Sequence, residues 1–520
     1  MTQPLQVVWF RRDLRLDDHA PLAQAARAGV VLPLFVLEPD LLYAPDFDRL
    51  HYEFLMQSLV ELQSGLASLG QPLIVRFGEI TQVLQQIAAL RPLGALWSHA
   101  ETRTAVERAR DERVRAWARA RGVPWYELPQ SGVFRGLVRR DGWRKLWFER
   151  MSLPVARIPR RLPAVPGFEQ GAIPQAGELG IFDHAPAVRG RAQVARGGES
   201  RAWTTLDSFL GERGASYPRA TSAPVNAYQV ASRLSPYLAW GCISTRTVFQ
   251  RALAASKALE TSGGKSPLGV PFAPGALASF NARLRTRCDH IQRLESVPAL
   301  ESKCIDAACE ALRGEERAAL FDAWASGRTG YPFVDACMRA LQARGWLHFR
   351  GRALLASFAA NQLWLDWRRF KDFLARQFTD YEPGVHFVEL QTASGTAGRR
   401  ALKIYDPVRE SRELDPSGEF IRAWVPELAL VPQTLIHEPW NLPRAQQLVA
   451  GCRLPHDYPL PVVDQAESLA AARARLRQLH RLAEGAADGT PAGLEDGGQW
   501  TIALDAPAQA SDRRPQGPGG

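Results

Sequence analysis

The sequence is poor in the residues that staple or anchor a chain. Six cysteines in 520 residues (Cys242, Cys288, Cys304, Cys309, Cys337, Cys452) form no C-x-x-C pair. No histidine pair stands at zinc-finger spacing either, so neither a disulfide scaffold nor a zinc or iron–sulfur site is expected. No run approaches the ~20 apolar residues of a membrane span, and Met1 to Val7 has neither the charged nor the apolar region of a secretory signal. A soluble cytoplasmic protein with reduced thiols is expected, with no membrane partner. Internal repeats are missing. So are G-x-G-x-x-G and G-x-x-x-x-G-K-[ST] after the first apolar run, which leaves a dinucleotide or triphosphate cradle there unsupported.

What is present is length, arginine and a change of pattern along the chain. The length fits roughly three to four domains at about 150 residues each. A formal net charge of +10 suits a polyanionic partner, though arginine and alanine richness can also be compositional bias. From residue 5 to about 130, short apolar runs ("LQVVWF", "VVLPLFVL", "PLIVRF", "ALWSHA", "VPWYEL") alternate with helical stretches such as 50–69 and 101–121. This predicts an α/β domain with a parallel, Rossmann-like sheet over 1–135, and Asp17 or Asp18 could cap its first helix. A Pro-, Gly- and Arg-rich connector follows over 136–200. A large all-α domain is expected over 201–483, and a disordered tail over 484–520.

Three stretches carry chemistry. In "GWLHFRGRALLASFAANQLWLDW" (345–367), which reads as one helix, His348 and Arg352 stand one turn apart with Ala356, Ala359 and Ala360 beyond them, a floor for a large flat ligand. A core helix whose arginine pairs with a carboxylate accounts for the spacing equally well. In "ASRLSPYLAWG" (231–241), two hydroxyls and a guanidinium precede Pro236 at a helix start, which fits a diphosphate site or merely a capped turn. In "QFTDYEPGVHFVELQTASG" (377–395), Asp380, Glu382 and His386 sit in a loop that could answer Arg352 or simply be solvated.

Together and in this order, these stretches resemble the photolyase/cryptochrome family, along with the opening "VVWFRRDLRLDDH", "TGYPFVDACMRALQARGWLHFR", "LDWRRF" and "DPSGEFIRAWVPEL". The resemblance implies FAD bent into a U in the helical domain. By motif matching, Ala231, Ser232, Arg233, Leu234 and Ser235 fall at the diphosphate and ribityl loop, with Tyr217 a phosphate contact. Phe280, Arg283 and Arg287 line the adenine and the substrate hollow. Trp346, His348 and Phe349 fall in the flavin-side "W-x-H-N-R" motif, Arg352 and Asp380 match the pair flanking the isoalloxazine, Glu382 falls at its pyrimidine edge and His386 near N5. Trp367 matches the middle member of an electron-transfer chain. The implied activity is that of a blue-light-driven DNA photolyase, in which reduced FAD injects an electron into a flipped-out pyrimidine dimer. The alternative is a cryptochrome-like photoreceptor without repair. UV-damaged DNA is the implied partner of a monomeric protein, and a folate or deazaflavin antenna may sit in the N-terminal domain of such proteins. Basic rim residues are expected in 138–150 and at Arg399, Arg400 and Lys403.

The chain also departs from the family pattern. Where "E-x-x-W-R" usually faces the lesion it reads "RLRTR", so Arg283 replaces a carboxylate and Thr286 a tryptophan. Leu390 and Thr392 stand at the positions of "W-x-W", and Phe349 replaces Asn. A proton donor and a stacking surface for the lesion are both missing from their usual places.

Overall fold

The computed structural model describes residues 3–137, 139–181, 194–217, 224–314, 317–398 and 404–486, with side chains of the last helix described as far as 478. The expected basic residues Arg399, Arg400 and Lys403 and nearly all of the expected tail lie outside the described residues.

The five apolar runs form five parallel strands, β1 (Leu5–Phe10), β2 (Val30–Leu37), β3 (Ile74–Phe77), β4 (Leu93–His99) and β5 (Trp125–Leu128), ordered β3-β2-β1-β4-β5. β1 is buried at every residue, as a central strand covered by helices on both faces must be. One face packs Val7, Trp9, Leu32 and Ile74 against the Ile80–Leu90 helix. The other face begins an apolar cluster at Val8 and Phe10 that runs through Phe54 and Leu59 to Tyr237, Trp240, Phe280 and Leu284. A single core therefore joins the sheet to the helical half of the molecule. Beyond residue 199 the structure is helical, and its only described strand-like pairing is an isolated bridge, Lys265 to Pro271. No described helix is long and apolar enough to cross a membrane.

The expected connector is not featureless. It contains the Trp143–Met151 helix, and its following segment lies along the sheet domain, where Leu162 donates to the Leu69 carbonyl and Gln170 accepts from the Val75 amide (2.7 and 2.8 Å).

Neither Asp17 nor Asp18 caps the first helix. His19 does so: its Nδ1 accepts the Leu22 amide at 3.1 Å, which puts the ring proton on Nε2, donated to Asp13 Oδ2 at 2.9 Å. His99 Nδ1 meets the same oxygen at 2.7 Å, so these three buried side chains form a hydrogen-bonded knot. Asp18 is drawn across to the helical half instead. It accepts from Ser244 Oγ (2.5 Å), Arg246 Nε (2.9 Å) and Arg246 Nη2 (2.6 Å), and from the Ala156 amide (2.8 Å). Asp17 accepts from Thr247 Oγ1 at 3.0 Å. The "RRDLRLDDH" loop is thus a clasp between the two halves.

Gly241 completes that clasp. Its φ of +66° lies in the left-handed region, and a Cβ there would come within 2.1 Å of the Arg12 carbonyl oxygen. Gly241→Ala is expected to destabilise the protein by about 1–3 kcal/mol, seen as a lower thermal midpoint.

Candidate functional site

The Pro332–Arg344 helix ends on Gly345, whose φ of +64° lets the chain reverse. His348 then starts the Phe349–Ser357 helix. One turn in, Arg352 Nε donates to the Leu347 carbonyl at 2.7 Å. Its two terminal nitrogens fork onto Asp380, Nη1 to Oδ1 at 3.1 Å and Nη2 to Oδ2 at 2.7 Å. The guanidinium lies 4.2 Å over the Phe378 ring. The Asp380 side chain is 3% exposed and that of Arg352 29%, so the pair has a sheltered end and an open end. Arg350 faces elsewhere, onto Glu410 and Glu413 at 2.7 and 2.9 Å. Of the two arginines in this turn, it is the one with a purely structural role.

The expected single helix over 345–367 is interrupted. It passes into a π-helical turn at Phe358–Gln362 and stops at Trp364, whose φ is +58°. Arg313 takes up the loosened backbone, donating to the Ala360 carbonyl at 2.8 Å and to Asn361 Oδ1 at 3.1 Å. Trp364 is held between Arg313 and Arg475, 4.6 and 4.5 Å from its ring centroid. Two cations there oppose a third positive charge on the ring, so Trp364 is a poor relay for an electron hole.

His348 is buried, and its Nε2 has no hydrogen-bond partner. Burial, then the charges of Arg352 and Arg350, push its pKa down to about 3. It is therefore a neutral imidazole with one free nitrogen.

The 231–235 loop leads into a short helix, Ser235–Ala239, with Pro236 in its first turn. Arg233 has a φ of +55°, and its guanidinium lies 5.0 Å from the Tyr228 ring, which meets Trp346 edge-on at 5.6 Å. The loop is anchored by Arg213, which donates to the carbonyls of Ala231, Ser232 and Thr205 and to Ser208 Oγ. All of these partners are neutral. Burial, then the positive charge of Arg233, pull Arg213 down to about 10, and Arg233 Nε is buried without a partner. Two neighbouring guanidiniums with no carboxylate at ion-pair distance among the described residues suit an anion such as a diphosphate. Neither Arg213 nor Tyr228 was among the residues expected from the sequence, since each acts across a gap that no local spacing reveals.

Tyr217 and Phe280 meet edge-on at 6.1 Å, and burial raises the Tyr217 pKa while the nearby Arg283 lowers it. These three expected residues are brought together. Arg283 also lies 5.5 Å over the Phe349 ring. Glu382 and Arg287 pair with each other at 2.6 Å, and Glu382 also holds Arg103 of the sheet domain at 3.0 Å. In this structure they serve the domain boundary. The Nε2 of His386 bonds the Lys371 carbonyl at 2.9 Å and its ring meets Tyr381 at 5.2 Å. Trp367 is buried, with an unpartnered Nε1.

Between the Ala276–Ser296, Phe349–Ser357 and Pro383–Ser394 helices, the hydroxyls of Thr286 and Thr392 bond back to the Ala282 and Val388 carbonyls of their own helices (3.0 and 2.7 Å). Leu390 is buried. Glu389, on the same helix and not among the residues expected from the sequence, has Arg283, Arg352 and Arg293 in electrostatic range.

A cavity opens at the carboxyl ends of β1 and β2 and is bounded by Trp9, Phe47, Arg110, Trp240 and Tyr381. Glu38 lines it, pushed up to about 7 by burial despite Arg110 at 3.2 Å. Crevices beyond the carboxyl ends of parallel strands are the usual ligand sites of such sheets.

Comparison with known proteins agrees with this geometry. Residues 6–139 match the DNA photolyase family model and residues 280–478 match the FAD binding domain of DNA photolyase. A deoxyribodipyrimidine photo-lyase from Streptomyces griseus is 31% identical over 92% of this chain and 99% of its own length. A cryptochrome DASH from Natronomonas pharaonis is 30% identical over 88% of this chain and 98% of its own length. The crystal structure of a bacterial class III photolyase from Agrobacterium tumefaciens superposes with a TM-score of 0.80 at 26% identity, covering 92% of this chain and 98% of the other.

Proposed function

Because the chain belongs to the photolyase/cryptochrome family and carries its FAD-binding domain, we propose that it is an FAD-dependent, blue-light-driven photolyase that splits UV-induced pyrimidine dimers in DNA. The observation that carries this is the Arg352–Asp380 fork at the start of the Phe349–Ser357 helix, where the resemblance expects the pair that flanks the flavin. Ser232, Arg233, Ser235 and the anchoring Arg213 would hold the diphosphate, with Tyr217 and Phe280 nearby. Tyr228 and Trp346 would flank the cofactor, and neutral His348 would offer it a free nitrogen. Bound and reduced, FAD supplies the light-driven electron that opens the dimer and is afterwards returned. Arg352 would provide positive charge to a reduced flavin, and Asp380 offsets the burial of that charge.

The lesion reaches such a hollow by leaving the duplex, and surface cations hold the backbone while it does so. Arg144 and Lys145 of the Trp143–Met151 helix are exposed and fit that role for a monomer acting in the cytoplasm. A second pigment, a folate or a deazaflavin, would find room in the cavity beneath Trp240.

The test is to reconstitute the protein with FAD, reduce it and illuminate it with DNA carrying a cyclobutane or a (6-4) lesion. Loss of one lesion is expected. Flavin absorbance with neither lesion consumed would overturn repair in favour of a photoreceptor. The photoreceptor alternative draws its support from Thr286 and Thr392, where the family pattern has lesion-side tryptophans, and from Leu390, where it has an electron-transfer tryptophan.

A further inference from the structure

The sheet order β3-β2-β1-β4-β5 carries the chain outward from β1 in one direction to β2 and β3, then in the other to β4 and β5. The loops therefore part between the carboxyl ends of β1 and β4, where open parallel sheets leave a crevice. A polar pocket lies there, closed on its far side by the helical half. The loop after β1 gives it Arg12 and Arg15, the loop after β4 gives Thr102, and the helical half gives Thr245 and Arg287. Arg12 also lines the cavity beneath Trp240, so its side chain stands between the two.

The charges around this pocket do not balance. Five guanidiniums line it, those of Arg12, Arg15, Arg103, Arg135 and Arg287, against two carboxylates, Glu101 and Glu382. Both carboxylates are already claimed: Glu382 by Arg103 at 3.0 Å and Arg287 at 2.6 Å, and Glu101 by Arg11 at 3.4 Å and Arg110 at 3.5 Å. Arg135 turns away to Glu127 at 2.7 Å. Arg15, 1% exposed, donates only to the carbonyls of Asp17, Asp18 and Gly241. Arg12 lies 3.8 Å over the Trp240 ring, and its Nη1 is buried with no hydrogen-bond partner. Among the described residues, neither Arg12 nor Arg15 has a carboxylate at ion-pair distance. Burial, then the charge of Arg103, pull Arg12 down to about 10, although Glu107, Glu382 and Glu101 oppose this. Two cations set between the halves without a counter-charge are costly, and an anion would offset that cost.

The start of the Thr245–Thr261 helix also reaches the pocket. Its cap, Ser244 Oγ, accepts the Arg246 and Thr247 amides at 3.1 and 3.4 Å and leaves the Thr245 amide over. That amide stands at the positive end of a 17-residue helix. No aromatic ring lines the pocket among the described residues, so nothing there would stack a base, and a small free ion suits it better than a nucleotide.

We infer that this pocket is a binding site for a free phosphate-type oxyanion, held by the guanidiniums of Arg12 and Arg15 and met by the Thr245 amide. Its partners come from both halves, so the ion would fasten the same boundary as Asp18 and Gly241. The site is independent of DNA repair.

The test uses the FAD-loaded protein, whose diphosphate site is then filled, titrated with inorganic phosphate against sodium chloride at matched ionic strength. At low millimolar concentration, where general exclusion of salts from the surface is negligible, phosphate should raise the thermal midpoint in a saturable way. Calorimetry should show binding with the same saturation. Arg12→Gln should weaken the ion about ten-fold or more, as loss of a charge-assisted contact requires, and flatten the rise in midpoint. Arg12→Lys keeps the charge without the fork and should fall between the two. Flavin absorbance and near-ultraviolet circular dichroism report that each variant is folded and loaded. A wild type stabilised no more by phosphate than by chloride would overturn the inference whatever the variants do, and so would an undiminished rise in Arg12→Gln.

Discussion

Arg352→Ala should lower flavin affinity about 30- to 100-fold, equivalent to about 2–3 kcal/mol. Removing one member of a buried ion pair typically costs about 3–5 kcal/mol, and the partial exposure of Arg352, 29%, trims that figure. The larger share comes from what is left behind. Asp380, 3% exposed, would lose the fork that meets it, and the proposed reduced flavin would add a second negative charge. The variant should therefore bind oxidised FAD weakly and resist reduction to the anionic state, which titration by fluorescence and a redox titration would measure separately. Arg352→Lys should recover only part of the loss, because a lysine cannot span both carboxylate oxygens. Unchanged occupancy and potential in Arg352→Ala would reduce Arg352 to a core partner.

Asp18→Ala should be the most damaging change away from the cofactor, costing about 3–5 kcal/mol as a broken buried network. It removes four hydrogen bonds at once and leaves Arg246, 14% exposed, without its carboxylate. The same residue makes stability depend on pH. Burial raises the Asp18 pKa, but the Arg246 bonds, the charge of Arg15, Ser244 and the Ala156 amide outweigh it and hold the pKa below 3.8. A depressed carboxyl pKa means that the stabilisation is complete above the unfolded-state value and is lost as pH falls through the folded one. Wild-type stability should accordingly drop in acid below about pH 4, and Asp18→Ala should drop less over that interval. Chemical denaturation at pH 7 and pH 3 would show this, and equal pH dependence in the two proteins would rule it out.

The strands were legible because burial of a parallel sheet on both faces writes itself as continuous apolar runs, and "LQVVWF" and "VVLPLFVL" became β1 and β2 to the residue. The Arg352–Asp380 pair was legible only through the resemblance to a family motif, since 28 positions separate them and no local period links them. Glu389 was hidden for a related reason. It sits on a helix whose other face was expected to carry the lesion contacts, and its neighbours Arg283 and His290 stand about a hundred residues earlier. Asp18 looked like a cap because caps are local. The competing partners, Ser244 and Arg246, arrive from 226 and 228 residues away, and a buried guanidinium outbids a backbone amide that His19 can satisfy instead.

The apolar cluster that starts at Val8 and Phe10 and ends at Phe280 and Leu284 also bears on how the molecule comes apart. Each half also has a core of its own, but with this cluster shared, separating the halves would uncover it, and heat or denaturant should melt them in a single transition. A protease cut in the peptide between the halves would leave two fragments that remain in one particle. During synthesis, the sheet would wait with Phe54 and its neighbours uncovered until the segment around Trp240 emerged.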